Sequence, residues 1–195
     1  MVLTGGPGAG KTAVLELVRV ALCRHVALVP EAASLLFRGG FPRVDTLLGR
    51  ECVQRAIVSV QVQMENLARG DGNHSIVLCD RGTVDSLAYW PGDEASLLHT
   101  IGSTRETELA RYACVIHLRT PGPEAYNHKN PDRIETVEEA HAIDEAIVHA
   151  WRGHPNRHFV APHATFLEKA RIALALIENE VPSCCAQPAP VTAFA

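Results

Sequence analysis

The chain has 195 residues, a formal net charge of -4, 47% hydrophobic and 21% charged residues. That length suffices for one domain with a real core, and the charge gives no electrostatic reason to bind nucleic acid. No apolar run approaches the length of a membrane span, and the chain enters its first motif at once with no secretory leader, so a cytoplasmic protein is expected.

In chain order, short apolar runs alternate with longer amphipathic ones. The expected strands are Met1–Thr4, His25–Val29, Ser75–Cys79, Ala113–Leu118 and His158–Ala161. The expected helices are Lys11–Cys23, Thr46–Arg69, Val84–Tyr89, Thr104–Arg111, Val137–Trp151 and Thr165–Glu180. This alternation predicts an α/β fold with a mostly parallel five-stranded sheet and helices on both faces. In the helix over 46–69, Val53, Ile57, Val60, Met64 and Leu67 recur at helical spacing and are expected to face the core. The helix over 137–151 opens on Thr136 and Glu139, a capping box, with Ala140, Ile143, Ile147 and Trp151 as its apolar face. One domain is expected over residues 1–180, and the Ala- and Pro-rich tail 181–195 is expected to be disordered. Of the six cysteines, Cys23, Cys52, Cys79 and Cys114 read as small core residues, and no C-x-x-C suggests zinc or redox chemistry. His149, His154, His158 and His163 cluster late. Pro155 breaks their spacing and no acid or cysteine completes a site, so they read as surface or core histidines, with metal binding the alternative.

Residues 3–12, LTGGPGAGKT, carry the strongest signal. Gly5, Gly10, Lys11 and Thr12 satisfy G-x-x-x-x-G-K-[ST], the P-loop pattern, with a strand before and a helix after. Glycines let backbone N–H groups turn inward around phosphate oxygens, and the helix beginning at Lys11 offers further unpaired N–H groups. The expected cradle for ATP is Gly5, Gly6, Pro7, Gly8, Ala9, Gly10, Lys11, Thr12 and Ala13, with Lys11 on the β- and γ-phosphates and the Thr12 hydroxyl on Mg2+. Only three lysines occur, at 11, 129 and 169, and one of them sits in this loop. Asp80 ends the third strand, where a magnesium-organising acid belongs, and Arg81 follows it, able to meet a transferred phosphoryl group. Glu31 ends the second strand at the same sheet edge. It is a candidate base for a substrate hydroxyl, or alternatively the first-turn acid of a following helix.

Together TGGPGAGKT, PEAAS, the series Gln54, Ile57, Gln61, Glu65, and CDRG with Asp85 and Tyr89 resemble the AAA-type ATPase/kinase family that contains the ribosylnicotinamide kinase domains of NAD metabolism. The layout is also similar to that of the deoxynucleoside kinases, over about residues 1–180. The resemblance implies that Glu31 is the substrate base, that Gln54 reads a base-like ring, and that Asp80 and Arg81 serve the magnesium and phosphoryl end. Gln61 and Glu65 share the strip of Gln54 and either join the site or form a solvated polar face. Asp85 and Tyr89, four residues apart, either line the pocket or cap and pack. The loop over 119–136 stands where such kinases carry a lid. Its cations are Arg119, Lys129 and Arg133, with Arg133 preferred as the catalytic lid arginine.

The expected activity is therefore transfer of the ATP γ-phosphoryl to a hydroxyl of a small, nucleoside-like molecule. The alternative is an ATPase or regulatory module with no acceptor. A GTP switch would want N-K-x-D after the fourth strand and D-x-x-G after the third, and NHKNPD and DRGT fit neither. No nucleic acid or membrane partner is expected, and a homodimer is compatible with the sequence.

Overall fold

The computed structural model describes residues 1–122, 135–162 and 165–182. The expected lid cations Lys129 and Arg133, His163, and residues 183–195 of the tail lie outside the described residues.

Five short runs, apolar in all but β5, pair as β1 (Val2–Thr4), β2 (Val26–Val29), β3 (Ile76–Asp80), β4 (Val115–Leu118) and β5 (Arg157–Val160). Their order in the sheet is β2-β3-β1-β4-β5, and every pairing is parallel. The helices are α1 (Lys11–Ala21), α2 (Ala32–Arg38), α3 (Leu47–Gly70), α4 (Glu94–Ile101), α5 (Arg105–Ala110), α6 (Val137–Ala150) and α7 (Phe166–Glu180). The segment expected as a helix over 84–89 is a 3-10 helix, Thr83–Ala88. The strand central to the sheet, β1, is buried at every residue, and its alternation divides the core. Leu3 packs with Val14, Val18, Leu78, Ile116 and Ile177 under α1 and α7. Val2 packs with Val29, Cys79, Tyr112, Ile147 and Trp151 on the α6 side. Thr136 and Glu139 form the expected capping box of α6. No described helix is long and apolar enough to cross a membrane.

Three expectations need correction. Helix α4, eight residues long, is absent from the expected helices, and the seven-residue α2 entered only as the alternative helix after Glu31. Cys52 is exposed and Cys23 only half-buried, so of the four presumed core cysteines only Cys79 and Cys114 are fully buried. The inward face of α3 is shifted by one residue from the expected stripe. Val53, Ile57, Val60 and Met64 are half-buried, Met64 against the core, and Leu67 is 76% exposed, while Gln54, Val58, Gln61 and Glu65 are the fully buried residues. The reason is a polar network around Gln61 and Glu65. Glu65 accepts from Gln61 Nε2 at 2.9 Å, Tyr112 OH at 2.7 Å and Arg111 Nη2 at 2.5 Å. Gln61 Nε2 also reaches the Arg81 carbonyl at 3.2 Å. Three donors make burial of the Glu65 charge tolerable.

Glu65→Ala leaves Arg111 and Tyr112 without their acceptor and is expected to destabilise the fold by about 3–5 kcal/mol. Leu67→Ala should change stability by no more than about 0.5 kcal/mol. Urea unfolding of both variants checks this. The reverse ranking would restore the apolar stripe as the packed face.

Candidate functional site: a phosphate loop and the acids beside it

The register sets the site. Leu3 of β1 lies opposite both Asp80 of β3 and Ile116 of β4, so the loop leaving β1 emerges between the ends of two parallel strands. Gly5 has φ 135°, and a Cβ there would fall 2.0 Å from the Leu118 carbonyl oxygen. Gly10, at φ 94°, is the N-cap of α1, and a Cβ would meet the Phe166 ring at 2.8 Å. Only glycine fits either position. Helix α1 has no side-chain cap and no acid in its first turn. The amides of Lys11, Thr12 and Ala13 therefore point from the helix start with no intrahelical acceptor, as a phosphate chain requires. Thr12 and Ala13 are exposed at that mouth. Lys11 is buried and folds back to donate to the carbonyls of Gly5 at 3.0 Å and Gly6 at 3.2 Å. Burial and the nearby Arg81 charge lower its ammonium to about 8, with Asp80 and Glu31 opposing.

The outer side of the loop is fastened by groups the sequence reading did not single out. Asp144 of α6, fully buried, accepts from the Gly6 amide at 2.8 Å, bonds His117 Nε2 at 2.8 Å and forms an ion pair with Arg119 Nε at 2.9 Å. Burial alone would raise its carboxyl, but these donors hold it below the usual range. Lys169 of α7 donates to the Ala9 carbonyl at 2.8 Å and the Arg119 carbonyl at 2.5 Å. Arg119, read from sequence as a lid cation, is thus committed to Asp144 and also bonds Glu145. A signal existed in both helices. Asp144 falls between Ala140 and Ile147 on the apolar face of α6, and Lys169 sits beside Ala170 and Ala173 on that of α7. A charge at core spacing marks a buried partner.

At the carboxyl edge of β2 and β3 the other expected residues converge. Glu31 is the N-cap of α2. It accepts from Arg81 Nε at 2.6 Å and from the Ser34 hydroxyl. Burial would raise Glu31, but the Arg81 and Lys11 charges and these bonds outweigh it and leave it at about 2. Burial pushes Asp80 up to about 6, against Lys11. Arg81 has φ 67°, the left-handed region, and is the one described non-glycine residue there. Such a conformation costs about 1–2 kcal/mol and persists because its surroundings over-determine it. The Arg81 amide donates to the Leu3 carbonyl at 3.0 Å, its carbonyl accepts from Gln61, its side chain holds Glu31, and Tyr89 faces the guanidinium at 5.6 Å. Burial pulls the Arg81 guanidinium down, but Tyr89, Glu31 and Asp85 more than offset it, so the group is firmly charged.

Asp85 is drawn inward. Its carboxylate accepts from the Gly82 amide at 2.8 Å, Trp151 Nε1 at 3.3 Å and the Thr4 hydroxyl. It braces the chain after β3 against β1 and α6. Gln61 likewise supports the Arg81 backbone. Three buried polar atoms in this corner have no hydrogen-bond partner: Gln54 Oε1, Asp80 Oδ1 and Arg81 Nη1. One further acceptor–donor set of ligand atoms would satisfy them.

The Glu31–Arg81 pair has a pH signature. Its folded carboxyl stands at about 2 against an ordinary 4.5, so its stabilisation is complete above about pH 4.5 and vanishes as pH falls toward 2. The stability gap between wild type and Glu31→Gln, from urea midpoints, should close across that window. A gap constant from pH 6 to 3 would refute the pairing.

The family described as AAA domain matches residues 1–169, from β1 into the first turn of α7, and so includes every residue of the loop and its fastenings. No curated protein matches the chain. The match and the glycine loop between a buried strand and an uncapped helix agree: the chain belongs to this AAA domain family, with a P-loop that binds nucleotide.

Proposed function

We propose that the chain is a phosphotransferase that takes ATP with Mg2+ at residues 5–13 and moves the γ-phosphoryl to a hydroxyl of a small, nucleoside-like acceptor. The observation that carries this reading is Gln54 Oε1, a buried acceptor beside the loop with no hydrogen-bond partner, which neither the ion nor the phosphates would meet. Leaving such a group unpaired costs about 1–3 kcal/mol, a cost that an acceptor molecule with an N–H or O–H donor would recover. Water alone, which is all a bare ATPase needs there, gives less reason for a buried amide two helical turns from Gln61.

The residues suit a magnesium nucleotide. The Thr12 hydroxyl and the Asp80 carboxylate would hold the ion, which supplies neutralisation of the phosphate charge. Lys11 exchanges the Gly5 and Gly6 carbonyls for phosphate oxygens. Glu31 orients the acceptor hydroxyl and takes its proton as the acceptor oxygen bonds to the γ-phosphorus and ADP departs with the bridging oxygen. A carboxylate held at about 2 is a weak base. In a loose transition state that suffices, since positioning and electrostatics outweigh proton abstraction. Arg81 faces the developing charge, with Tyr89 and Glu31 keeping its guanidinium in place. Gln54 presents its amide oxygen to the acceptor ring.

Glu31→Gln should lower transfer about 10²-fold while hydrolysis without acceptor falls much less. Asp80→Asn should reduce both reactions, because the ion organises both. ADP release with and without a panel of ribosides reads this. Equal losses in both reactions for Glu31→Gln would put the ATPase reading first.

Gln54→Ala should raise the acceptor KM by about 5- to 150-fold, the equivalent of about 1–3 kcal/mol, and leave the KM for ATP within a factor of about two. Parallel losses for both substrates would remove Gln54 from the acceptor site.

A further inference from the structure

At the opposite edge of the sheet, the amino-terminal end of its strands, three elements bring a cysteine, a histidine and a glutamate together. Cys114, fully buried, directly precedes β4; His158 lies in β5, opposite Ile116; and Glu180 ends α7. One ligand atom from each lies within 4.8 Å of the others. Among the described residues no other three His, Cys, Asp or Glu side chains form such a group. Along the sequence no acid or cysteine stands beside the late histidines to complete a site. For His158 the fold supplies both, from 44 positions before and 22 after.

We propose that Cys114, His158 and Glu180 form a site for a divalent transition-metal ion of the zinc type. The donor set is sulfur, nitrogen and oxygen, and a thiolate selects such an ion over Mg2+ or Ca2+. In a tetrahedral zinc site, bonds of about 2.0–2.3 Å put neighbouring ligand atoms roughly 3.3–3.6 Å apart. Closure from the present separation is a rotamer adjustment, with the fourth position left to water.

Asn156 prepares the histidine. Its Nδ2 donates to the Ala113 carbonyl and to Glu180 Oε1, both at 3.2 Å. Two acceptors on that side leave Oδ1 facing His158 Nε2 at 2.9 Å, so Nε2 carries the proton and Nδ1 keeps the lone pair. One amide thereby orients two of the three ligands, the outer support a metal-binding histidine ordinarily has. Burial and the neighbouring Glu180 charge push the Cys114 thiol up to about 11 in the absence of an ion. On binding, the Cys114 S–H bond breaks, the sulfur lone pair bonds the metal, and one proton goes to solvent. The ion then joins β4, β5 and the end of α7, remote from the phosphate loop at the carboxyl edge.

The test is Co2+ titration of the full chain after treatment with a chelator, followed by displacement with Zn2+. The expected result is one equivalent of Co2+ with a thiolate-to-cobalt charge-transfer band, lost on adding Zn2+. Cys114→Ser should abolish the band. Because that position is buried, His158→Gln and Glu180→Gln, at half-buried positions, serve as second variants and should each weaken binding at least about 10-fold. Asn156→Ala should weaken it by about 10- to 100-fold. Circular dichroism confirms that each variant is folded. Cys23→Ser, Cys52→Ser and the double variant Cys184→Ser with Cys185→Ser should bind as wild type does. Absence of the band in wild type overturns the proposal. So does a band that survives Cys114→Ser, or one that disappears with the other cysteines.

Discussion

The buried carboxylate of Asp144 is the constraint on which the phosphate loop depends. It is fully buried, so its charge must be met by protein donors. They come from the loop itself (Gly6), from β4 (His117) and from the residue after β4 (Arg119). One side chain thus fixes α6, the fourth strand and the loop in a single register. Lys169 completes the arrangement from α7 by holding Ala9. Since the outer surface of the loop is engaged, it cannot collapse onto its own inner amides. An anion site made of backbone N–H groups is useful only when those groups are already aimed. The glycines permit the loop's shape, and Asp144 and Lys169 select it.

Electrostatics on the inner side are coupled in the same way. Lys11, Glu31, Asp80 and Arg81 each shift under the influence of the others. Glu31 is pulled down by two cations, whereas Asp80, without a hydrogen bond to Oδ1, is pushed up by burial. Two carboxylates at one sheet edge are thus separated in character, one fixed as an anion and one responsive to whatever cation arrives. That separation comes mainly from Arg81, whose left-handed backbone turns its side chain toward Glu31 instead of Asp80.

How much of this was legible depended on range. The five strands were, because short runs rich in Val, Ile and Leu between turn residues have few other uses in an α/β chain, and β5, with one Val, follows the same alternation with helices. The glycine loop was, because its chemistry lies within nine consecutive residues. Helix α4 was not, and α2 was only as an alternative, since seven or eight residues give too few turns for a period to emerge. The inward face of α3 was misread for a different reason. Val53, Ile57, Val60, Met64 and Leu67 keep a helical period, but so do Gln54, Val58, Gln61 and Glu65, and hydropathy favours the flanking strip, which is half-buried except at Leu67. What decides is Arg111 and Tyr112, some 46 residues away. Asp144 with Gly6, and Cys114 with His158 and Glu180, are long-range in the same sense. Periodicity can mark a charge as misplaced, but only the fold names its partner.

The parallel sheet gives its two edges different tasks. At the carboxyl edge all five strands release loops, and polar groups gather there with their hydrogen bonds incomplete: Gln54, Asp80 and Arg81. At the amino edge the chain enters the strands, and polar groups are paired among themselves, as Asn156 with Glu180 and His158. An unsatisfied buried atom is tolerated only where a ligand regularly satisfies it or where the surrounding fold can bear the cost. The fold bears it here through Glu65, Asp85 and Asp144, three buried acids whose donors come from elements far apart in the chain. The stable polar networks therefore sit one layer beneath the open ones. Gln61 joins the two layers, bonding Glu65 on one side and the Arg81 carbonyl on the other. A reactive edge can stay unsatisfied because the acids beneath it are met by several donors each, although Arg111 Nε and His117 Nδ1 in that layer are themselves without a hydrogen-bond partner.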